Sequence, residues 1–258
     1  MRDYVKPAME IAKEAGALQI EKLKTARTIE YKGKFNIVTE VDKACEKLIV
    51  DFLKDQFPAH DFLAEEGTNL KTKSDWLWVI DPLDGTVNYA HAYPLFAVSI
   101  ALLNKGKPVV GVVYEPNRDE LFVAERGGGA LLNEKPIRVS KTKEVYSSLI
   151  ATGFAYNVAD TEQNNLQQFS RFIKKCHALR RDGVASTDLC YVACGRFDGF
   201  WELYLKPWDI AAACLVVEEA GGEVSMFDGR PLDVFGDEIV ASNGIVHGEM
   251  LRILQTTD

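Results

Sequence analysis

The stretch Trp76–Asn88 reads Trp-Leu-Trp-Val-Ile-Asp-Pro-Leu-Asp-Gly-Thr-Val-Asn. It sets two carboxylates, Asp81 and Asp84, in a tight bend just past an apolar run. Carboxylate oxygens suit a hard cation such as Mg²⁺, which takes a few of them and completes its shell with water and substrate phosphate oxygens. Gly85 lets the backbone come close to a ligand. If a helical turn starts here, the N–H groups of Gly85 and Thr86 point outward and can hold a phosphate. An Asx-capped turn with no chemistry is the plain alternative. Three further acidic stretches stand at element ends: Asp42 at a helix start, Glu65 after a short strand, and Asp209 at a second helix start. N-capping alone would account for Asp42 or Asp209, and Glu66 is as good a candidate as Glu65. Together the acids would repel one another unless cations bind.

The elements that must position these residues follow from pattern. Trp76–Ile80 is an unbroken β-prone run, as in a strand buried on both faces. Its ladder is expected to stop at Pro82, which has no N–H. Met9, Ala12, Ala15, Gly16, Ile20 and Leu23 recur at helical spacing over 4–24. Phe35 to Val41 is strand-like. Asp42 then opens a helix burying Leu48, Ile49, Phe52 and Leu53, ended by Pro58. Asp61 to Ala64 is a short strand, and Thr68 to Asp75 a polar loop. Phe96–Leu103, Val109–Tyr114 and Leu121–Glu125 form an antiparallel meander. Gly127, Gly128 and Gly129 sit between strands and open no helix, so they mark a hairpin or bulge.

The second half alternates. Strands are expected at Leu149–Thr152, Ala178–Arg181, Arg196–Glu202, Val224 and Ile239–Ala241. Helices are expected at Glu162–Lys175, Ala185–Cys194 (closed by Gly195), Asp209–Ala220 (closed by Gly221 and Gly222) and Val246–Leu254. Alternation of this kind implies an α/β layer. No linker or repeat separates the pseudo-halves, about 1–145 and 146–258, so residues 1–258 are expected to form one catalytic unit with sheets sandwiched by helices.

The chain has 258 residues, 47% apolar and 26% charged, with a net charge of −8. That balance argues against nucleic acid or an anionic membrane as the main partner. Five cysteines without a CxxC pair argue against a disulfide framework or a zinc site. The opening residues lack a signal peptide, no run reaches the ~18 residues of a membrane span, and a reducing cytoplasm is the expected location.

Asp81-Pro82-Leu83-Asp84-Gly85-Thr86-Val87-Asn88-Tyr89, with Ala64-Glu65-Glu66-Gly67 upstream and Trp208-Asp209-Ile210-Ala211-Ala212 downstream, resembles the inositol monophosphatase family. Asn36-Ile37-Val38-Thr39-Glu40-Val41-Asp42, Phe96-Ala97-Val98-Ser99 and Glu218-Glu219-Ala220-Gly221-Gly222 extend the resemblance over essentially the whole chain. It implies an αβαβα layered fold and a Mg²⁺-dependent phosphomonoesterase, usually a homodimer, acting on a small-molecule phosphate ester. By matching motif positions, Glu65, Asp81 and the Leu83 carbonyl would hold one Mg²⁺, and Asp81, Asp84 and Asp209 a second. A third, weaker ion would lie near Glu65. Asp42 and Thr86 would join Glu65 in orienting and activating the attacking water, and the Gly85 and Thr86 N–H groups would hold the phosphate. Phosphoryl transfer needs this kind of charge neutralisation and alignment.

For the leaving group, the resemblance points to Asp84, Ala185 (through its N–H), Glu202 and Asp209. An ionised carboxylate accepts hydrogen bonds from a polyol well. In Arg180-Arg181-Asp182-Gly183-Val184-Ala185-Ser186, Asp182 and Val184 stand where relatives often carry Ser or Thr, so Asp182 adds a negative charge beside the expected sugar site. Inositol 1-phosphate is the leading substrate. Alternatives within the same chemistry are fructose 1,6-bisphosphate, NADP, histidinol phosphate and nucleotide 3′-phosphates. A regulatory binding protein that keeps the fold is the reading of a different class.

Overall fold

The computed structural model describes residues 2–23, 29–31, 37–156, 158–159, 161–162 and 164–256. Residues 24, 35 and 36, at the edges of the first helix and strand expected above, lie outside this set. The central strand β5 (Trp76–Asp84) shows why the apolar run is continuous. Trp78 and Ile80 face a core built with the N-terminal helices, whereas Val79 faces a second core shared with the C-terminal half. Both faces are covered, so neither can be polar.

In chain order the preceding elements are α1 (Arg2–Leu23), β1 (Ile29–Tyr31), β2 (Ile37–Thr39), α2 (Glu40–Gln56), β3 (Asp61–Ala64) and β4 (Asn69–Leu70). After β5 come α3 (Thr86–Ala90), β6 (Ala97–Asn104), β7 (Lys107–Glu115), β8 (Glu120–Glu125), β9 (Gly129–Leu132) and β10 (Lys135–Pro136). The eight-stranded sheet runs β10-β9-β8-β7-β6-β5-β3-β4, antiparallel from β5 through β10, with β3 parallel to β5. The Gly127–Gly129 segment is the β8–β9 hairpin turn, tied down by the Glu219 carboxylate, which accepts from the Gly127 and Gly129 N–H groups at 2.8 and 2.9 Å.

The remaining elements are β11 (Leu149–Thr152), α4 (Leu166–Ile173), β12 (Ala178–Arg180), α5 (Ala185–Ala193), β13 (Gly199–Leu203), α6 (Pro207–Glu219), β14 (Glu223–Ser225), β15 (Glu238–Ser242) and α7 (His247–Gln255). The five-stranded sheet runs β12-β11-β13-β15-β14, parallel across β12, β11 and β13 and antiparallel to β15. Buried side chains of α5 and α6 share one apolar cluster with both sheets. On the eight-stranded sheet, α1 and α2 cover the outer face, while α7 and Phe172 of α4 cover that of the other. The layering is αβαβα, as expected.

Several boundaries differ from the sequence expectation. β5 does not stop at Asp81. Asp81 faces Ser99 and Asp84 faces Ala97, so one extra residue is accommodated as a bulge, where the missing N–H of Pro82 costs no ladder bond. Helix α2 starts at Glu40 rather than Asp42, because Thr39 is its N-cap and accepts from the Val41 N–H at 3.2 Å. α4 starts late. Asn164 accepts from the Leu166 N–H at 3.1 Å, a local bond that competes with an earlier helical turn. β13 also starts late, since the Arg196 and Phe197 N–H groups both return to the Tyr191 carbonyl, at 2.9 and 3.0 Å, and finish α5 instead.

Candidate active site

Five chain segments converge on one cavity of about 760 Å³, one of them running from the end of β11, Thr152 to Tyr156. The β5 bulge and the start of α3 contribute Asp81, Leu83, Asp84, Gly85 and Thr86. The turn after β3 contributes Glu65, the start of α5 contributes Ala185, and β13 and the first turn of α6 contribute Glu202 and Asp209. Of the residues singled out in the sequence, Asp42, Glu66 and Asp182 do not line the cavity. Asp42 lies fully buried behind Thr86, whose hydroxyl is 2.9 Å from Asp42 Oδ1 and 3.2 Å from the Leu83 carbonyl. Glu65 reaches the cavity and Glu66 does not line it.

The local chemistry explains each placement. Asp81 Oδ1 accepts from the Leu83 N–H at 2.9 Å, closing the bulge. The carbonyl of Pro82 accepts from the buried Gln19 amide of α1 at 2.8 Å, so the helical layer holds the bend from below. Gly85 adopts φ 95°, and a side chain there would meet Val184 Cγ2 at 2.8 Å, so both conformation and space call for glycine. Thr86 opens α3, whose first N–H groups have no partner within the helix. Asp209 is the third residue of α6, not its N-cap. Its Oδ2 accepts from the Lys206 N–H at 2.6 Å, and Pro207 fills the first turn. Asp42 has the same position in α2, reaching back to the Thr39 N–H at 2.9 Å and to the Thr39 hydroxyl. Asp84 Oδ2 accepts from the Ser186 N–H at 2.8 Å and its hydroxyl at 2.6 Å, which joins the two halves of the chain across the cavity.

Electrostatics in this cavity are severe. Burial, and then Glu65, Asp84 and Asp209, push the Asp81 carboxyl well above its ordinary value. Burial and then Asp84 do the same to Asp209. Burial raises Asp84 to about 6 against the lowering bonds from Ser186 and Ala185. Glu202 is raised to about 8, first by burial and then by Asp209, with Arg181 opposing. Carboxylates that are buried together hold protons, or cations in their place.

Two residues were not assigned from sequence. Asp188 is buried to 1% exposure, lines the cavity and leaves Oδ1 without a hydrogen-bond partner. The single charge in the Ala185–Cys194 helix pattern is the signal available. Arg181, rather than Asp182, lines the cavity. The Asp182 carbonyl accepts from the Asn88 side chain at 2.8 Å, and its half-buried carboxylate answers to Arg180 and Arg118. The Asp182 carboxylate therefore stays outside the cavity lining, yet, after burial, its charge still helps raise the Asp188 carboxyl.

The family model for the inositol monophosphatase family matches residues 1–257. The chain belongs to the inositol monophosphatase family. An inositol-1-monophosphatase of Synechocystis sp. is 43% identical over 259 residues, covering 100% of this chain and 90% of that protein. The Nus factor SuhB of Escherichia coli is 42% identical over 254 residues, covering 97% and 95%. The solved inositol monophosphatase of Anabaena (Nostoc) sp. superposes with a TM-score of 0.91 at 42% identity, covering 100% and 97%. The family is one of metal-dependent phosphatases that act on small phosphate esters. Among the described residues no helix is long and apolar enough to cross a membrane.

Proposed function

We propose that this chain hydrolyses inositol 1-phosphate to inositol and phosphate with Mg²⁺ held by Glu65, Asp81, Asp84, Asp209 and the Leu83 carbonyl. The observation that carries the reading is the joint lining of one cavity by these oxygens, by Gly85 and Thr86 at the start of α3, and by Glu202 and Asp188. The donor set is all oxygen, which suits Mg²⁺. Among the described residues no three His, Cys, Asp or Glu side chains stand together as a ready ligand set for one ion. Glu65, Asp81, Asp84, Asp209 and the Leu83 carbonyl would supply protein oxygens to Mg²⁺, with water and the substrate phosphate completing its shell. Bound there, the ions would neutralise the transferring phosphoryl group and lower the pKa of a water.

The protein's own groups supply the rest. The Gly85 and Thr86 N–H groups bind the phosphate at the start of α3. Thr86, hydrogen-bonded to Asp42, and Glu65 orient the attacking water. Asp42 accepts the Thr86 proton at Oδ1 and keeps that hydroxyl in one orientation. Glu202 accepts hydrogen bonds from ring hydroxyls, with Asp84, Asp209 and the Ala185 N–H completing the leaving-group wall. A phosphate-release screen with and without Mg²⁺ tests the reading. Inositol 1-phosphate should have the highest kcat/KM among inositol 1-phosphate, fructose 1,6-bisphosphate, NADP, histidinol phosphate and nucleotide 3′-phosphates. Preference for another ester would move the assignment within the family. The 42% identity to a Nus factor supports a second role for the fold as a partner surface, which phosphatase-dead variants that still bind a partner would reveal.

A further inference from the structure

α2 carries a second buried acid, Glu46, four residues after Asp42 and 6% exposed. Spacing of four puts both carboxylates on the same face of the helix, one turn apart. They serve different arms of the site. Asp42 holds Thr86, on the arm formed by the β5 bulge and α3. Glu46 holds the other arm. Its Oε2 accepts from the Glu66 N–H at 2.6 Å, and its Oε1 accepts from the Thr68 N–H at 3.0 Å and the Thr68 hydroxyl at 2.7 Å. These three donors lie on the turn that begins with Glu65.

The need for such a brace follows from the sheet. β3 and β5 run parallel, and their register ends with Ala64 opposite Ile80. The Glu65 N–H makes one more bond, to the Ile80 carbonyl at 3.2 Å. Beyond that point the strands no longer set the separation of the two arms. Glu65 is thus held before its Cα by strand pairing, and after it by the Glu46 carboxylate through the adjoining peptide. A carboxylate with only apolar surroundings would be costly to bury, and here it is met by two backbone donors and a hydroxyl.

We infer that Glu46 is a positioning residue for Glu65, setting the Glu65 turn against the Asp81–Asp84 arm so that both present their oxygens to the same divalent cations. The inference rests on the proposed role of Glu65 as a cation ligand. Groups that orient a ligand from outside its shell typically change metal affinity or activity by about 10- to 100-fold when removed. A turn-stabilising role alone would lower the melting temperature in chelator and leave Mg²⁺ affinity of the folded protein unchanged.

The test is direct Mg²⁺ titration by calorimetry on the full chain, paired with melting in chelator and with kcat and KM at saturating Mg²⁺. Glu46→Ala should weaken Mg²⁺ binding about 10- to 100-fold. KM for inositol 1-phosphate at saturating Mg²⁺ should change little, and high Mg²⁺ should restore part of kcat. Glu46→Gln keeps an acceptor for Thr68 but presents an amide to the Glu66 N–H, so its loss should be intermediate. Thr68→Val removes only the hydroxyl bond and should lose least. If Glu46→Ala does not fold, the graded order of the other two still decides. Wild-type Mg²⁺ affinity in Glu46→Gln and Thr68→Val, with Glu65→Gln weakened, would overturn the bracing role alone. Wild-type affinity in Glu65→Gln would overturn the site reading, and the inference with it.

Discussion

Glu202 sits with its carboxylate against Gly153, where an added Cβ would come within 2.2 Å of Oε2. Its removal by Glu202→Ala should cost transition-state binding only for substrates that offer hydroxyls to it. A hydrogen bond is worth about 0.5–1.5 kcal/mol net to a neutral group and about 1.5–3 kcal/mol to a charged one, so kcat/KM for inositol 1-phosphate should fall roughly 2- to 100-fold, most above about pH 8 where Glu202 is ionised. Hydrolysis of p-nitrophenyl phosphate should change little. Gly153→Ala should displace the same carboxylate and show the same substrate-selective loss, a pattern that equal losses on both substrates would contradict. Asp84→Asn and Asp209→Asn are nearly isosteric and should fold. Each should lower kcat by at least about 10²-fold, comparable to losing one preorganised electrostatic group. Near-normal turnover in both would remove the cation assignment.

At the scale of elements, α6 is the piece whose placement decides the site, because Asp209 lies in its first turn. Two contacts set it. The Ser99 hydroxyl of β6 donates to the Trp208 carbonyl at 3.0 Å. Gly111 of β7 lies so close to the helix that a Cβ there would be 2.3 Å from the Ala212 carbonyl oxygen. The three nearest atoms are all Ala212 backbone, so Gly111→Ala must push α6 off the sheet. Overpacking of this kind costs about 1–3 kcal/mol, at about 2–4 °C in Tm per kcal/mol. Activity should fall with it, because Asp209 moves with the helix. A scan showing full stability and full turnover would mean that the close approach does not set the site.

For the whole molecule, the acidic cavity couples stability to pH and to cations. Asp84 is raised to about 6 and Glu202 to about 8 by burial, so the folded chain keeps protons that the unfolded chain has already released. Stability from these groups is full below the unfolded carboxylate range near pH 4 and is lost as pH rises through the folded values. In chelator, Tm should therefore fall between about pH 5 and pH 8. Mg²⁺ bound as proposed would replace the protons, so the Tm gain at saturating Mg²⁺ should grow with pH over the same window. Scanning fluorimetry across that range reads both slopes, and a metal-free Tm that climbs with pH would contradict this charge balance. Phosphatase activity that survives exhaustive chelation would contradict the metal mechanism.

Much of this architecture was legible in the chain itself. A strand segment covered on both faces has to be apolar, so Trp76–Ile80, the first five residues of β5, announced the strand. Alternation of strand and helix in the second half carried the layered class for the same reason, since each element must bury one face. Local pattern could not fix where elements begin when a side chain or a partner strand competes with the backbone's own bonds. Thr39 took the start of α2 from Asp42, Asn164 shortened α4, and pairing with Ser99 and Ala97 carried β5 through Pro82. Nor could spacing say which of Arg181 and Asp182 faces the cavity, because one residue's difference in a turn reverses the direction of a side chain. Asp84 and Ser186 are 102 residues apart and meet at 2.6 Å. That meeting, and the reach of Glu46 to the turn beside Glu65, come from the packing of helices on sheets, which only the folded chain decides.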